Sequence, residues 1–275
     1  MIPLQQALPA HAVARFPAAF QEIDLVAFAM LASFLGILAM ALGFLWLIGK
    51  ERTATTLAPT GANHRTPKDL PHADALPAWL QEPTRWIAIQ STHLPAVLAA
   101  LPLRNRRYCS LEEGLAEARE HRFFITPPMH RQWILVFGAD LPDPAEDVDE
   151  CFHLLRHLSQ QLGRVQFFSR HAPVNHHAWA WAEQGRIVRG YAWAGRTLWN
   201  QGAMTAAEQA IGMRCLDYEE SEEESGGFPG TGSSANLDRL PLLAARWSVD
   251  PLSLGPIADE AMQGVSGEPS SQRLR

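Results

Sequence analysis

Residues 171–199 read HAPVNHHAWAWAEQGRIVRGYAWAGRTLW, which places three histidines, four tryptophans and one tyrosine in one short stretch. Large and small side chains alternate in both halves, and a period of two is the pattern of a β-strand. The dipeptide Gln184–Gly185 between the halves favours a two-residue hairpin turn. The stretch therefore predicts a β-hairpin in which Trp179 faces Gly190 while Tyr191 lies on the opposite face.

In this register both faces of the hairpin are aromatic. A sheet that is covered on one side alternates apolar with polar residues, so this hairpin is either buried between two layers or presents one aromatic face to a partner. Tryptophan, tyrosine and arginine are the residues most enriched at protein-interface hot spots. The candidate recognition surface consists of Trp179, Trp181, Arg189, Tyr191 and Trp193, together with His177. Both interpretations stay open on the sequence.

The histidines do not predict a metal site. His176 and His177 are neighbours, so on a strand they point to opposite faces, and no thiol or carboxylate stands at a ligand spacing beside them or His171. His153 and His157 have the i, i+4 spacing of a zinc-binding helix but lack its glutamate. We therefore expect no metal and no cofactor.

Common catalytic motifs are missing from the sequence as well. It contains no G-x-S-x-G motif, no P-loop and no dinucleotide-binding glycine pattern at a strand–helix junction. Its three cysteines are far apart and are expected to be free thiols: Cys109, Cys151 and Cys215. The remaining enzyme hypothesis is a pocket around His177, Arg189 and Asp250.

Around the hairpin, residues 83–254 predict one α+β domain. Strands are expected at 85–91, 123–128, 132–138 and 165–170, and helices at 93–101 and 147–163. The order strand, helix, strand, strand, helix, strand is that of a ferredoxin-like antiparallel sheet with its helices on one face. A further helix is expected after Ser110, a plausible N-cap, and Gly163 stands where a helix C-cap belongs.

Residues 25–49, LVAFAMLASFLGILAMALGFLWLIG, carry no charge. A helix over this run would be about 37 Å long at 1.5 Å per residue, enough to cross a hydrocarbon core of about 30 Å. It predicts a single transmembrane helix. Before it stands only Arg15, whereas four basic residues follow it: Lys50, Arg52, Arg65 and Lys68. The positive-inside rule then places the domain that follows this helix in the cytoplasm.

A stripe of small residues runs along this predicted helix: Ala32, Gly36, Ala39 and Gly43. Small residues let helices approach closely in lipid, so the stripe indicates self-association or docking on another membrane protein, unless it reflects only the abundance of Ala and Gly. The other expected segments are a tail over 1–24, a linker over 50–82, an acidic and Gly/Ser-rich loop over 219–236 and a disordered tail over 255–275.

Several motifs in the domain resemble those of a family of uncharacterised bacterial proteins. They are ITPP, WILVFG, VQFF, HAWA, GRIVRGYAW and WSVDP, within residues 85–252. The matching positions are Phe167, His177, Trp179, Arg186, Arg189, Tyr191, Trp193, Trp247 and Asp250. The family has no established activity, so the resemblance implies no catalytic residue.

Because the resembling family is bacterial, the predicted protein is a single-pass protein of the bacterial inner membrane with a cytoplasmic domain. It is expected to be a membrane-anchored, non-enzymatic module that binds another protein, in a regulatory or immunity-type role. A net charge of −6 and a pI near 6.0 argue against binding to nucleic acid. The alternative is an enzyme that uses the His177, Arg189 and Asp250 pocket.

Overall fold

The structure is a computed structural model that describes residues 29–37, 39–40, 77–81, 84–129, 132–220, 232–254 and 263–270. The chain divides into two units, residues 1–63 and 64–275. The predicted N-terminal tail, most of the linker and part of the acidic loop lie outside the described residues.

The predicted transmembrane helix over 25–49 is wrong for the part of the first unit that is described. Residues 29–37 and 39–40 are helical, and among the residues described no helix is long and apolar enough to cross a membrane. The lack of charge permits an apolar helix to cross a membrane, but it does not by itself make a helix long enough to do so. The single-pass topology fails with it.

Three members of the small-residue stripe, Ala32, Gly36 and Ala39, lie at positions that are helical. Gly43 lies outside the described residues. Self-association through the stripe stays a prediction.

The second unit holds six helices and nine strands in its described part. The helices are α1 (Ala78–Gln81), α2 (Leu94–Ala100), α3 (Leu111–Glu117), α4 (Val148–Leu162), α5 (Ala206–Ile211) and α6 (Ala235–Trp247). The strands are β1 (Thr84–Gln90), β2 (Leu103–Cys109), β3 (Phe123–Ile125), β4 (Trp133–Phe137), β5 (Arg164–His171), β6 (His176–Glu183), β7 (Arg186–Ala194), β8 (Thr197–Gln201) and β9 (Gly264–Pro269).

All nine strands belong to one antiparallel sheet with the order β2-β9-β3-β4-β1-β5-β6-β7-β8. The fold belongs to the α+β class, as predicted. The predicted ferredoxin-like sheet with one added hairpin is wrong, because the sheet has nine strands. Strands β2, β8 and β9 were not predicted. β2 contains Arg104, Arg106 and Arg107, a run that is typical of a solvated turn. β9 lies in the segment 255–275, which was expected to be a disordered tail.

The layers also differ from the prediction, because helices cover both faces of the sheet rather than one. On the first face, α2 and α4 pack on apolar residues that include Ile87, Val165 and Ala180. On the second face, α1, α3, α5 and α6 pack on Trp86, Phe168 and other side chains. A sheet covered twice needs apolar residues on both faces of its central strands, which is why the hairpin sequence lacks a polar face.

The turn of the hairpin forms where the sequence predicts it. Gln184 and Gly185 have φ angles of 50° and 76°, the left-handed pair of a type I′ turn. Long helix α4 also matches its prediction: Cys151, Leu155 and other members of its apolar face are buried, and Gly163 caps its end with φ 89°.

The register beyond the turn differs from the prediction by one residue. Ala182 pairs with Ile187, but Trp181 pairs with Arg189, so Val188 is an extra residue on β7. Such a β-bulge exchanges the faces of all residues that follow it. The predicted pairing of Trp179 with Gly190 is therefore wrong, and Trp179 faces Tyr191 instead.

Candidate binding site

The bulge brings the predicted recognition residues onto one face of the hairpin. The cross-strand pairs are Trp181 with Arg189, Trp179 with Tyr191 and His177 with Trp193. This face lies under α5 and α6, and five of the six residues are buried: Trp179, Tyr191, Trp193, His177 and Arg189. Trp181 is half-buried, with the Arg164 guanidinium carbon 4.9 Å from its ring centroid. In this structure the hairpin aromatics form core, not an exposed surface.

Arg189 contacts partners through all three of its side-chain nitrogens. Its Nε donates to Glu208 Oε1 at 2.8 Å, and both side chains are fully buried. Its Nη2 lies 3.0 Å from Cys215 Sγ. Its Nη1 donates to four oxygens within 3.2 Å: Gly190 O, Asn200 Oδ1, Gln201 O and Gly202 O. A buried cation bonded in this way fixes β7, β8 and α5 together, and its charge is already balanced by Glu208.

Glu208 is the carboxylate that balances this cation. Its Oε1 also accepts from Trp179 Nε1 at 2.7 Å, and its Oε2 accepts from the Thr205 backbone N–H at 2.6 Å. Thr205 in turn caps Glu208 N, which completes a capping box at the start of α5. The sequence carries the T-x-x-E signal at 205–208, so this residue could have been found as a cap. Its role as the partner of Arg189 could not.

Burial sets the protonation of the neighbouring groups. It raises the pKa of the Cys215 thiol to about 12, although Arg189 beside it acts in the opposite direction. It likewise raises the pKa of the Tyr191 phenol to about 12, with the Leu216 N–H donating to the phenol oxygen at 3.1 Å. Both groups are therefore neutral at physiological pH and unsuited to act as nucleophile or base.

His177 is also neutral. Burial lowers its pKa to about 3, outweighing the Asn175 backbone, which raises it. The ring stacks on Trp179 at a centroid distance of 5.9 Å, and its Nε2 lies 3.1 Å from the Asn236 side-chain nitrogen. The same amide of Asn236 pairs with the backbone of Arg214, so His177 helps to hold α6 against the hairpin.

The residues of the enzyme hypothesis occupy three different environments. His177 binds Asn236, Arg189 binds Glu208, and Asp250 accepts from Leu252 N at the turn Pro251–Ser253. His177 pairs with Trp193 across the hairpin, and Trp193 stands four positions after Arg189 on β7. His177 and Arg189 are therefore about 13 Å apart along the strand direction. The described part of the chain also contains no group of three or more His, Cys, Asp or Glu side chains that could hold a metal ion. His171, His176, His153 and His157 are thus not part of such a group.

An open cleft of about 470 Å³ lies elsewhere, between the start of α4 and the edge strand β8. It is lined by Glu146, Asp147, Val148, Asp149, Phe152, Leu198, Trp199, Gln201 and Tyr218. None of these residues is among those predicted from the hairpin. Their sequence gives no motif, because they come from a helix start, an edge strand and a loop that meet only in the fold.

Two features of the cleft distinguish it from an ordinary surface depression. Tyr218 is 59% exposed, yet its hydroxyl accepts a hydrogen bond of 2.8 Å from the Asn200 N–H of β8. The ring is thus anchored while its face stays open. Glu146 and Asp149 are exposed, and neither carboxylate has a side-chain partner among the residues described. Asp147, by contrast, is used as the N-cap of α4.

Aromatic side chains form the floor of the cleft. Phe152 and Trp199 meet edge to face, with centroids 6.4 Å apart. The buried Trp199 ring also lies directly over Gly190, where an added Cβ would stand 2.5 Å from it. Trp199 is therefore fixed by the sheet beneath it, and the cleft is preformed.

Comparisons with models of protein families, with curated proteins and with solved structures found no match. The resemblance to the bacterial family stays a prediction.

Proposed function

We propose that this chain is a non-enzymatic binding module, and that the cleft between α4 and β8 is its binding site for another protein. The observation that carries the proposal is the anchored, exposed ring of Tyr218 beside two unpartnered carboxylates. A side chain that is already fixed loses little conformational entropy on binding. Tyrosine also offers both apolar surface and polar contacts, which favours it at interfaces.

The enzyme alternative has less support. Catalysis needs groups that converge on a space open to substrate. His177 and Arg189 are instead buried and bound to Asn236 and Glu208. The cleft itself contains carboxylates and aromatic rings, which suit recognition, and no histidine or cysteine lines it.

The test is affinity purification of the full-length protein from its own cells beside a Tyr218→Ala/Asp149→Lys variant. Both residues are exposed, so the variant should fold, and circular dichroism checks this. Glu112→Lys serves as the control, because Glu112 is an exposed acid on α3, on the other face of the sheet. We expect a protein that co-purifies with the wild type and the control and is lost with the cleft variant. A partner retained by all three, or none at all, would refute the cleft as the binding site.

A further inference from the structure

We infer that the cleft between α4 and β8 binds an arginine or lysine side chain in an extended basic segment of a partner protein. This inference rests on the proposed function and adds the chemistry of the partner.

Charge comes first. Three carboxylates line the cleft, and two of them, Glu146 and Asp149, are unpaired among the described residues. Tyr218 is followed in the chain by two more exposed acids, Glu219 and Glu220. Like charges gathered on one surface repel each other, and a cationic ligand relieves that repulsion while it gains Coulomb attraction. Acids at a helix start are partly explained by the helix dipole, but that explanation does not cover the acids after Tyr218.

The aromatic faces give a second, independent reason. A cation within about 6 Å of a tyrosine or tryptophan face is attracted by the ring quadrupole. Phe152 already shows this behaviour, since Arg156 Cζ lies 5.4 Å from its ring centroid. The exposed ring of Tyr218 lines the same cleft as the free carboxylates, so the cleft offers an ammonium or guanidinium group both an aromatic ring and a carboxylate.

The shape of the site selects a peptide over a small amine. The cleft is open, and small-molecule sites enclose most of their ligand. Strand addition at β8 is blocked at Asn200, because Tyr218 already takes its backbone N–H. A partner therefore approaches with side chains rather than as a tenth strand, and its cations can face the carboxylates of the cleft.

The inference is tested with a fluorescein-labelled peptide of alternating arginine and glycine and with its glutamate counterpart, by fluorescence anisotropy on the full chain. We expect the arginine peptide to bind and the glutamate peptide not to bind. Glu146→Gln/Asp149→Gln should weaken binding at least tenfold, and Tyr218→Ala about fivefold. Tyr218→Phe keeps the ring and should retain most of the affinity.

The matched control is Glu112→Gln/Glu120→Gln, which removes the same charge from the two exposed ends of the α3 region. It should bind like the wild type. Equal weakening by the control and cleft pairs would mean non-specific attraction to an acidic protein and would overturn the inference, as would an absence of binding. A cleft-dependent partner recovered by affinity purification together with no arginine-peptide binding would leave the proposed function standing and reject only the basic segment.

Discussion

Arg189 and Glu208 form an ion pair, Nε to Oε1 at 2.8 Å, in which both side chains have no solvent exposure. Separated by only nineteen positions in the chain, they join strand β7 to helix α5, which covers the aromatic face of the hairpin. Breaking a buried pair is costly because the remaining charge loses its partner in a medium that solvates it poorly.

Replacing Glu208 by glutamine should therefore lower the free energy of unfolding by about 3 to 5 kcal/mol. The amide keeps an oxygen for Trp179 Nε1 but removes the charge that balances Arg189. Urea denaturation followed by tryptophan fluorescence measures the loss. In a double-mutant cycle, Arg189→Met/Glu208→Gln should cost less than the sum of the single variants. Strict additivity would show that the pair is not coupled.

Deletion of Val188 should leave the fold intact. Val188 is the bulged residue, 43% exposed, and its removal keeps the Trp181–Arg189 and Ala180–Gly190 pairs as they are. Deletion of Ala192 should prevent folding, because every later residue of β7 would change faces. Far-ultraviolet circular dichroism and the urea midpoint compare the two deletions. Folding of both to equal stability would contradict the role assigned to the bulge.

The bulge at Val188 is a feature that the sequence pattern could not predict. Local chemistry located the turn at Gln184–Gly185, the caps at Ser110 and Gly163, and the apolar face of α4. Each of these depends on residues near one another in the chain. The bulge depends on tertiary packing: Arg189 must reach Glu208, and Trp199 needs the space above Gly190. Alternation alone does not contain that information.

The missed strands have a similar cause. β2 has five exposed residues in a row, including Arg104 and Tyr108, because it is an edge strand with one neighbour. Charged side chains are common on sheet edges, where they hinder aggregation. The arginines of β2 therefore make its sequence look like a loop. Its pairing with β9 is also irregular, with a register shift between Arg104 and Arg107. The cleft was missed because its residues meet only after β8 and α4 are placed.

Gly190→Ala should destabilise the protein by about 1 to 3 kcal/mol, the usual range for overpacking. The added Cβ would stand 2.5 Å from the Trp199 ring, and Gly190 lies in the buried centre of β7. Trp199→Leu in the same chain removes the clash, so Gly190→Ala should cost much less in that background than in the wild type. Thermal melting of the four proteins gives the comparison. An unchanged cost in both backgrounds would mean that the ring does not demand the glycine.

His177 predicts how stability depends on pH. Burial lowers its folded-state pKa to about 3, while the unfolded chain titrates near 6.5. Between these values the unfolded state binds a proton that the folded state excludes. Stability from this group is therefore complete above about pH 6.5 and falls by up to about 1.4 kcal/mol per unit as the pH drops towards 3.

His177→Phe isolates this effect, because phenylalanine keeps the stacking on Trp179 but does not titrate. Other groups change in the same range, so the informative quantity is the difference between the two stability curves. Exposed His121, whose pKa is raised by Asp140, acts with the opposite sign and is replaced by glutamine in both proteins. As the pH is raised from 4 to 7, the urea midpoint should rise steeply in the protein that keeps His177 and less steeply in the His177→Phe variant. Parallel curves would show that the ring is protonated inside the folded hairpin.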